Sequence, residues 1–460
     1  MSTPDRSARE QAPPTVHFVS LGCAKNRVDT EVMVGVSEQA HWRVVLDPSE
    51  ADVIVVNTCG FIGPAKEESI ETVLELSRFK DTGRCRKLVV AGCLAQRYAR
   101  QLATEMPEVD HFLGSSDPMR LREVLEERSE ARLMVGDPEH WLQRASTPRR
   151  RTQWPHVAYV KIAEGCNRTC AFCAIPSIRG RQRSRPLEDV REEVQRLVAE
   201  EGVREVVLVS QDTVAWGRDL PERPRLAELV GALAEVEGLR WLRLHYLYPE
   251  KLDPALLELM AEHPAVLPYV DVPLQHAADA VLRRMRRGHG GERVRRFVAR
   301  LRERLPEVVL RTTFLVGHPG EDEAAFEELR DFLRWARFDH VGFFLYSPEE
   351  GTAAAAMDDA PPRSEARRRQ RELLREQAAI VRERQQARVG QALEVQVDGP
   401  SEESPYLSEG RWWGQAPEVD GKVFLVRGEG ASAPLTPGQM VRARVRKFAG
   451  ADLLAEVLEA

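Results

Sequence analysis

Short runs that are apolar at nearly every position recur along this chain, each followed by a stretch of helical character. The first three are VHFVSL (16–21), DVIVVN (52–57) and KLVVAG (87–92). A strand with no polar face cannot lie against water on either side, so such runs demand a parallel sheet covered by helices on both faces. Helical stretches such as 64–79 separate them, and the alternation predicts an N-terminal α/β domain with a parallel sheet over 15–132. A second set of strands is expected at 157–163, 205–210, 241–247, 269–273, 308–316 and 340–347, with helices such as 187–201 and 322–336 between them. Six such units joined by right-handed crossovers curl into a partial (β/α)6 barrel, here over 155–360.

The remaining segments differ in character. Residues 1–14 lack the apolar stretch of a secretory signal and read as a disordered tail. Residues 133–154 hold Pro138, Pro148 and a PRRR run and read as a linker. Residues 361–389 are helical by propensity, with nine arginines against four glutamates. Such a charge run reads as a solvated linker helix, with ribosomal RNA or tRNA as the alternative partner. Residues 390–460 alternate apolar and polar positions in ALEVQVDG, GKVFLVRG and MVRARVRKF, and predict a small all-β barrel.

Charge and cysteine usage narrow the function. A net charge of −6 argues against a chain that binds nucleic acid over its whole surface. No run approaches 18 apolar residues, so no membrane-spanning helix is expected. Seven cysteines, an odd count without an export signal, argue against a disulfide framework and for reduced thiols in the cytoplasm.

Three of those thiols, Cys166, Cys170 and Cys173, stand in a C-x3-C-x2-C run just after the first strand of the second set. Ligands collect at the carboxyl ends of strands in α/β sheets. Three thiolates can hold three irons of a 4Fe–4S cube and leave the fourth open, as a catalytic metal site does. A zinc knuckle short of one ligand, or plain buried cysteines, are the other readings of that spacing. Cys23 (SLGCAKN), Cys59 (NTCGF) and Cys93 (AGCLAQ) each stand at or just past a predicted strand end in the first domain. Parallel neighbours bring such ends to one edge, so these three thiolates can converge on a second cluster. Cys85, in a polar loop before a strand, reads as a bystander. No side chain stands out as a catalytic acid or base.

The cysteine run after the first strand of an incomplete barrel resembles the radical S-adenosylmethionine superfamily. That resemblance implies that Cys166, Cys170 and Cys173 hold a 4Fe–4S cluster. It further implies that the open iron binds S-adenosylmethionine and that the cofactor is cleaved to a radical that abstracts hydrogen from carbon. Phe172 stands where the superfamily places an aromatic residue against the adenine. The usual Gly-Gly-Glu loop is replaced by SQDT (210–213), in which Gln211 is the candidate contact to the cofactor.

Nearly the whole chain resembles one family within that superfamily, the methylthiotransferases. The matching stretches are VSLGCAKNRVDTE, VNTCGFIGPAKEESI, AGCLAQRY, GCNRTCAFCAIPSIRGRQRSR and VDVPLQHAADAVLRRMRRG, with a C-terminal barrel like a TRAM domain. The resemblance implies a second 4Fe–4S cluster on Cys23, Cys59 and Cys93 that presents sulfur, and a second S-adenosylmethionine that supplies methyl. The product is a –SCH3 group in place of a C–H hydrogen. Where the family reads GFPGET this chain has GHPGED (317–322), so His318 replaces an apolar residue and Asp322 a threonine.

The family divides by substrate. LGCAKNRVDTE, LVSQDTVAWGRDL and GQAPEVDGKVFLV (414–426) resemble the branch that modifies an aspartate β-carbon of ribosomal protein S-twelve, free or in the small subunit. That activity needs an electron donor and a sulfur donor. The alternative branch modifies a tRNA adenosine, and a more distant reading is a zinc-binding RNA adaptor without enzymatic activity. Residues 391–460 carry eleven acidic and seven basic side chains, which suits a basic protein partner better than a phosphate backbone. Arg411, Trp412 and Trp413 point the other way if they stack on bases, and read as barrel core otherwise.

Overall fold

The structure is a computed structural model that describes residues 13–249, 252–427 and 434–459; the predicted tail lies outside the described residues up to residue 12. The chain divides into two compact units. The first runs to Thr152 and adds Glu164–Asn167 and Ala174–Arg183. The second comprises Gln153–Ala163, Arg168–Cys173 and everything from Ser184 onward.

The first unit is a six-stranded, wholly parallel sheet. Its strands are β1 (Thr15–Ser20), β2 (Arg43–Val44), β3 (Val53–Thr58), β4 (Lys87–Gly92), β5 (His111–Leu113) and β6 (Leu133–Met134), in the order β2-β1-β3-β4-β5-β6. The three predicted runs form the centre of the sheet. The two- and three-residue strands β2, β5 and β6 carry too few residues for a pattern to mark them. Leu133–Met134 places the start of the predicted linker in this sheet.

Helix α1 (Ala24–Gln39) packs on one face, where Val32, Met33 and Val36 meet Val16, Val53, Val55 and Val89. Helices α2 (Gly63–Ser77) and α3 (Cys93–Glu105) cover the other, where Val73, Leu94 and Leu102 meet Ile54, Val56, Leu88 and Val90. The chain therefore turns one way from β1 to β2 and the other way from β3 onward. The carboxyl ends of β1 and β3 flank this topological switch point, the crevice where open α/β sheets bind ligands.

The second unit holds two sheets. Strands β7 (Val157–Lys161), β8 (Glu205–Val209), β9 (Trp241–Leu244), β10 (Val266–Asp271), β11 (Val309–Val316) and β12 (His340–Leu345) form a parallel sheet in sequential order. All six predicted strands are present. One face packs through Ala158, Val160, Val206, Leu208, Leu242, Leu244 and Leu310 onto the helices between them. The second sheet is a closed five-stranded barrel of β13 (Ala392–Pro400), β14 (Leu407–Trp412), β15 (Val423–Val426), β16 (Met440–Ala449) and β17 (Asp452–Glu459). Helix Arg363–Arg388 joins the two. It is no solvated linker: Ala366, Arg369, Leu373, Gln377 and Ile380 are buried along one face. Among the described residues no helix is long and apolar enough to cross a membrane.

Candidate functional site

Strand register delivers the first three cysteines to one place. Ser20 pairs with Asn57, and Thr58 with Gly92. One step past these pairs, Cys59 and Cys93 leave their strands level with each other, and Gly22 comes level with Cys59. Gly22 lies only 2.8 Å, measured from an ideal Cβ, from the Cys59 Cβ, and its φ of +92° suits glycine alone. Gly60 approaches the Leu94 backbone to 2.7 Å on the same measure, so the chain after Cys59 presses against the start of α3. Asn26 ties the ends of β1 and β3 together, donating to the Leu21 and Thr58 carbonyls, each at 3.0 Å. Ser69 of α2 accepts from the Cys59 amide at 3.0 Å.

The donor set is soft and crowded. Cys23 is exposed, Cys59 half-buried and Cys93 buried. Burial pushes the Cys59 thiol up to about 12, and the neighbouring Cys93 and Cys23 push in the same direction. Burial also raises Cys93, against the pull of Arg179. Cys23 caps α1 and Cys93 opens α3, so two helix N-termini favour the thiolate forms once a metal displaces the protons. Among the described residues no three His, Cys, Asp or Glu side chains form a cage around a single metal ion. A cubane binds each thiolate at a different iron, so its ligands stand around a cube and not around a point. Three converging thiols fit that group. Cys85 is buried in the apolar core beneath α2 and α3, away from this edge.

Arg179, in the SIRG stretch, was not singled out from sequence. Its guanidinium is 2% exposed and donates to Cys93 Sγ at 3.2 Å, Asn26 Oδ1 at 2.7 Å and Asp29 Oδ2 at 2.7 Å.

The C-x3-C-x2-C loop follows β7. Cys173 donates its amide to the Cys170 carbonyl at 3.1 Å, and Cys166 donates to the Gly180 carbonyl at 3.0 Å. Arg287, also unmarked in sequence, donates to Cys170 Sγ at 3.3 Å and to the Pro273 carbonyl at 2.7 Å. Its guanidinium lies over the Tyr248 ring, whose hydroxyl donates back to the Arg287 carbonyl. Phe172 is half-buried against Ala278, Val281, Met285 and Ala325. Gln211 is half-buried just past β8. Its neighbour Asp212 reaches the cysteine loop, accepting from Arg168 Nε at 2.6 Å.

Both departures from the family pattern have a local reason. Asp322 caps helix Glu323–Ala336 through the Ala325 amide at 2.8 Å, a role threonine also fills. His318 is 0% exposed, edge-on to Phe172 and to Tyr346, with ring centroids 6.2 and 5.2 Å apart. Its Nδ1 faces the Pro319 carbonyl at 2.9 Å, and burial lowers its pKa to about 4, so it sits as a neutral aromatic ring.

The face of the central sheet turned from the helices carries polar side chains at alternate positions: Tyr159, Lys161, Glu205, Arg243, Tyr269, Asp271 and Arg311. The C-terminal barrel engages several of them. Tyr269 donates to Asp420 Oδ2 at 2.7 Å, Arg311 pairs with Asp420, and Arg243 donates to the Trp413 carbonyl at 2.8 Å. Tyr159 donates to the Pro417 carbonyl at 3.2 Å. The APEVDG stretch is thus a plug against the central sheet.

This docking changes how the barrel residues read. Arg411 is buried between Glu205, at 2.6 Å, and Asp398, at 2.8 Å, and cannot stack on a base. Trp412 is barrel core, with the Arg388 guanidinium 4.3 Å from its ring. Asp398 and Asp420 are spent on buried pairs, so the formal count of eleven acidic residues overstates the acidity of the barrel surface. In the arginine-rich helix, Arg368, Arg369, Arg384 and Arg388 are paired with carboxylates of the same unit.

Comparison with known proteins agrees with this anatomy. Residues 160–333 match the radical SAM superfamily, 15–114 the uncharacterized protein family UPF0004, and 389–458 a TRAM domain. The ribosomal protein uS12 methylthiotransferase RimO of Sorangium cellulosum is 54% identical over 450 residues, 96% of this chain and 91% of that protein. The protein of the same name from Anaeromyxobacter is 47% identical over 443 residues, 96% of this chain and 93% of its own length. Among solved structures, the radical S-adenosylmethionine methyltransferase TsrM from Kitasatospora setae, with cobalamin and a [4Fe-4S] cluster bound, superposes with a TM-score of 0.53 at 17% identity. The match covers 73% of this chain and 77% of that one, and shows a shared fold.

Proposed function

Because the chain belongs to the uS12 methylthiotransferase family of radical SAM enzymes, we propose that it methylthiolates the β-carbon of an aspartate in uS12, the small-subunit protein S-twelve. In this reading Cys166, Cys170 and Cys173 hold the cluster that binds S-adenosylmethionine, and Cys23, Cys59 and Cys93 hold a second 4Fe–4S cluster. When bound, these groups supply one-electron chemistry, sulfur and a methyl group. The observation that carries the reading is the convergence of Cys23, Cys59 and Cys93 at a sheet's switch point, in a chain that also bears the C-x3-C-x2-C loop.

The protein's own residues bind, orient and shield. Arg287 holds the Cys170 sulfur, Arg179 holds the Cys93 sulfur, and Phe172 offers an apolar edge beside the cysteine loop for the adenine. Gln211 is the candidate contact to the rest of the cofactor. The cytoplasm is the expected site of action, with an electron donor, a sulfur donor and uS12 or the assembled small subunit as partners.

Two substitutions separate the two cysteine sets. Cys166→Ala should abolish cofactor cleavage. Cys59→Ala should leave cleavage intact and prevent sulfur insertion. Methylthio product from Cys59→Ala would overturn the role given to the first set.

A further inference from the structure

Arg179 sets its guanidinium against the sulfur of Cys93, a member of the first cysteine set. It is held there by more than that contact. One guanidinium nitrogen donates to Asp29 Oδ2 at 2.7 Å and lies 3.5 Å from Glu164 Oε2; the other donates to Asn26 Oδ1 at 2.7 Å and to Cys93 Sγ at 3.2 Å. Two of these four groups are fixed by the first sheet and its helix: Asn26 bridges the ends of β1 and β3, and Asp29 lies one helical turn further along α1. The guanidinium, 2% exposed, has its planar fork fixed on both sides, so its aim at Cys93 is preorganised.

A full positive charge and an N–H donor on a cluster thiolate stabilise the more negative, reduced state of the cluster. Hydrogen bonds to the sulfurs and burial are among the features that set iron–sulfur potentials. Resting on the reading above, in which Cys23, Cys59 and Cys93 hold a cluster, we propose that Arg179 is a positioning residue that holds the Cys93 thiolate and raises the reduction potential of that cluster. Asp29 and Glu164 oppose it: each neutralises part of the guanidinium charge and so restrains the effect.

The test is a redox titration of the reconstituted full-length chain, followed by electron paramagnetic resonance. Cys166, Cys170 and Cys173 are replaced by alanine so that only the first cluster contributes. Arg179→Gln should shift the reduced-to-oxidised ratio at fixed potential at least tenfold toward oxidised, about 59 mV downward for one electron. Arg179→Lys, which keeps the charge and loses the fork, should fall between. Asp29→Asn should move the potential upward, because the guanidinium charge is then less neutralised. An unchanged potential in Arg179→Gln overturns the proposal. If that variant fails to hold iron, Asp29→Asn decides, and an unchanged or lowered potential there overturns it. A parent chain that binds no iron at Cys23, Cys59 and Cys93 instead removes the reading on which the proposal rests.

Discussion

Arg287 donates a hydrogen bond to the sulfur of Cys170 at 3.3 Å, while its second nitrogen holds the Pro273 carbonyl and its plane lies over Tyr248. The chain thereby aims a fixed guanidinium at one thiol of the C-x3-C-x2-C loop. A hydrogen bond with one charged partner contributes about 1.5–3 kcal/mol. Arg287→Ala is therefore expected to slow S-adenosylmethionine cleavage roughly 10- to 100-fold, measured as methionine released under reducing conditions. Wild-type cleavage by that variant would show that the contact does nothing for the loop.

Gly22 is pinned by its φ of +92° and by its closeness to Cys59. Gly22→Ala forces Cys59 away from Cys23 and Cys93. Iron content after anaerobic reconstitution should fall from about eight to about four per chain, with cofactor cleavage retained. Full iron content in the variant would contradict the convergence of the three thiols.

His318 is buried neutral, with a pKa lowered from 6.5 to about 4. Between those values the unfolded chain binds a proton that the folded chain refuses. Stability from this group is complete above pH 6.5 and is lost as pH falls, at about 1.4 kcal/mol per pH unit. His318→Phe removes this contribution, so its urea midpoint should fall less than wild type between pH 6.5 and 4.5. Parallel midpoints for the two proteins would exclude the histidine as a source of acid sensitivity.

Arg411 ties Asp398 of the C-terminal barrel to Glu205 of the central sheet, both buried. Arg411→Met leaves Glu205 to Arg243 alone and Asp398 to His156 alone, each at 2.9 Å, and should cost about 3 kcal/mol in urea unfolding. Its affinity for RNA should not change. A stable variant that loses RNA binding would return Arg411 to the role of a stacking residue.

The three central strands of the first sheet and all six of the second were legible because residues such as 53–56 and 206–209 are apolar throughout, as strands buried on both faces are. The cysteine positions were legible for the same reason, since each follows such a run. Arg168, Arg179 and Arg287 were not. An arginine in sequence says nothing of the carboxylate or sulfur it will meet, and Arg179 meets Asn26 and Cys93 from far along the chain. The plug was hidden likewise, because Tyr269 and Asp420 are 151 residues apart. A formal charge count treated Asp398 and Asp420 as surface, and only their partners reveal them as internal.

The central claim is a –SCH3 transfer to a protein. Anaerobic turnover with S-adenosylmethionine, sulfide and reductant, with uS12 and unmodified tRNA offered side by side, tests it by mass spectrometry. A gain of about 46 Da on an aspartate of uS12 is expected, the mass of –SCH3 replacing hydrogen in this cofactor-borne chemistry. The same gain on tRNA, with uS12 unchanged, would contradict the account.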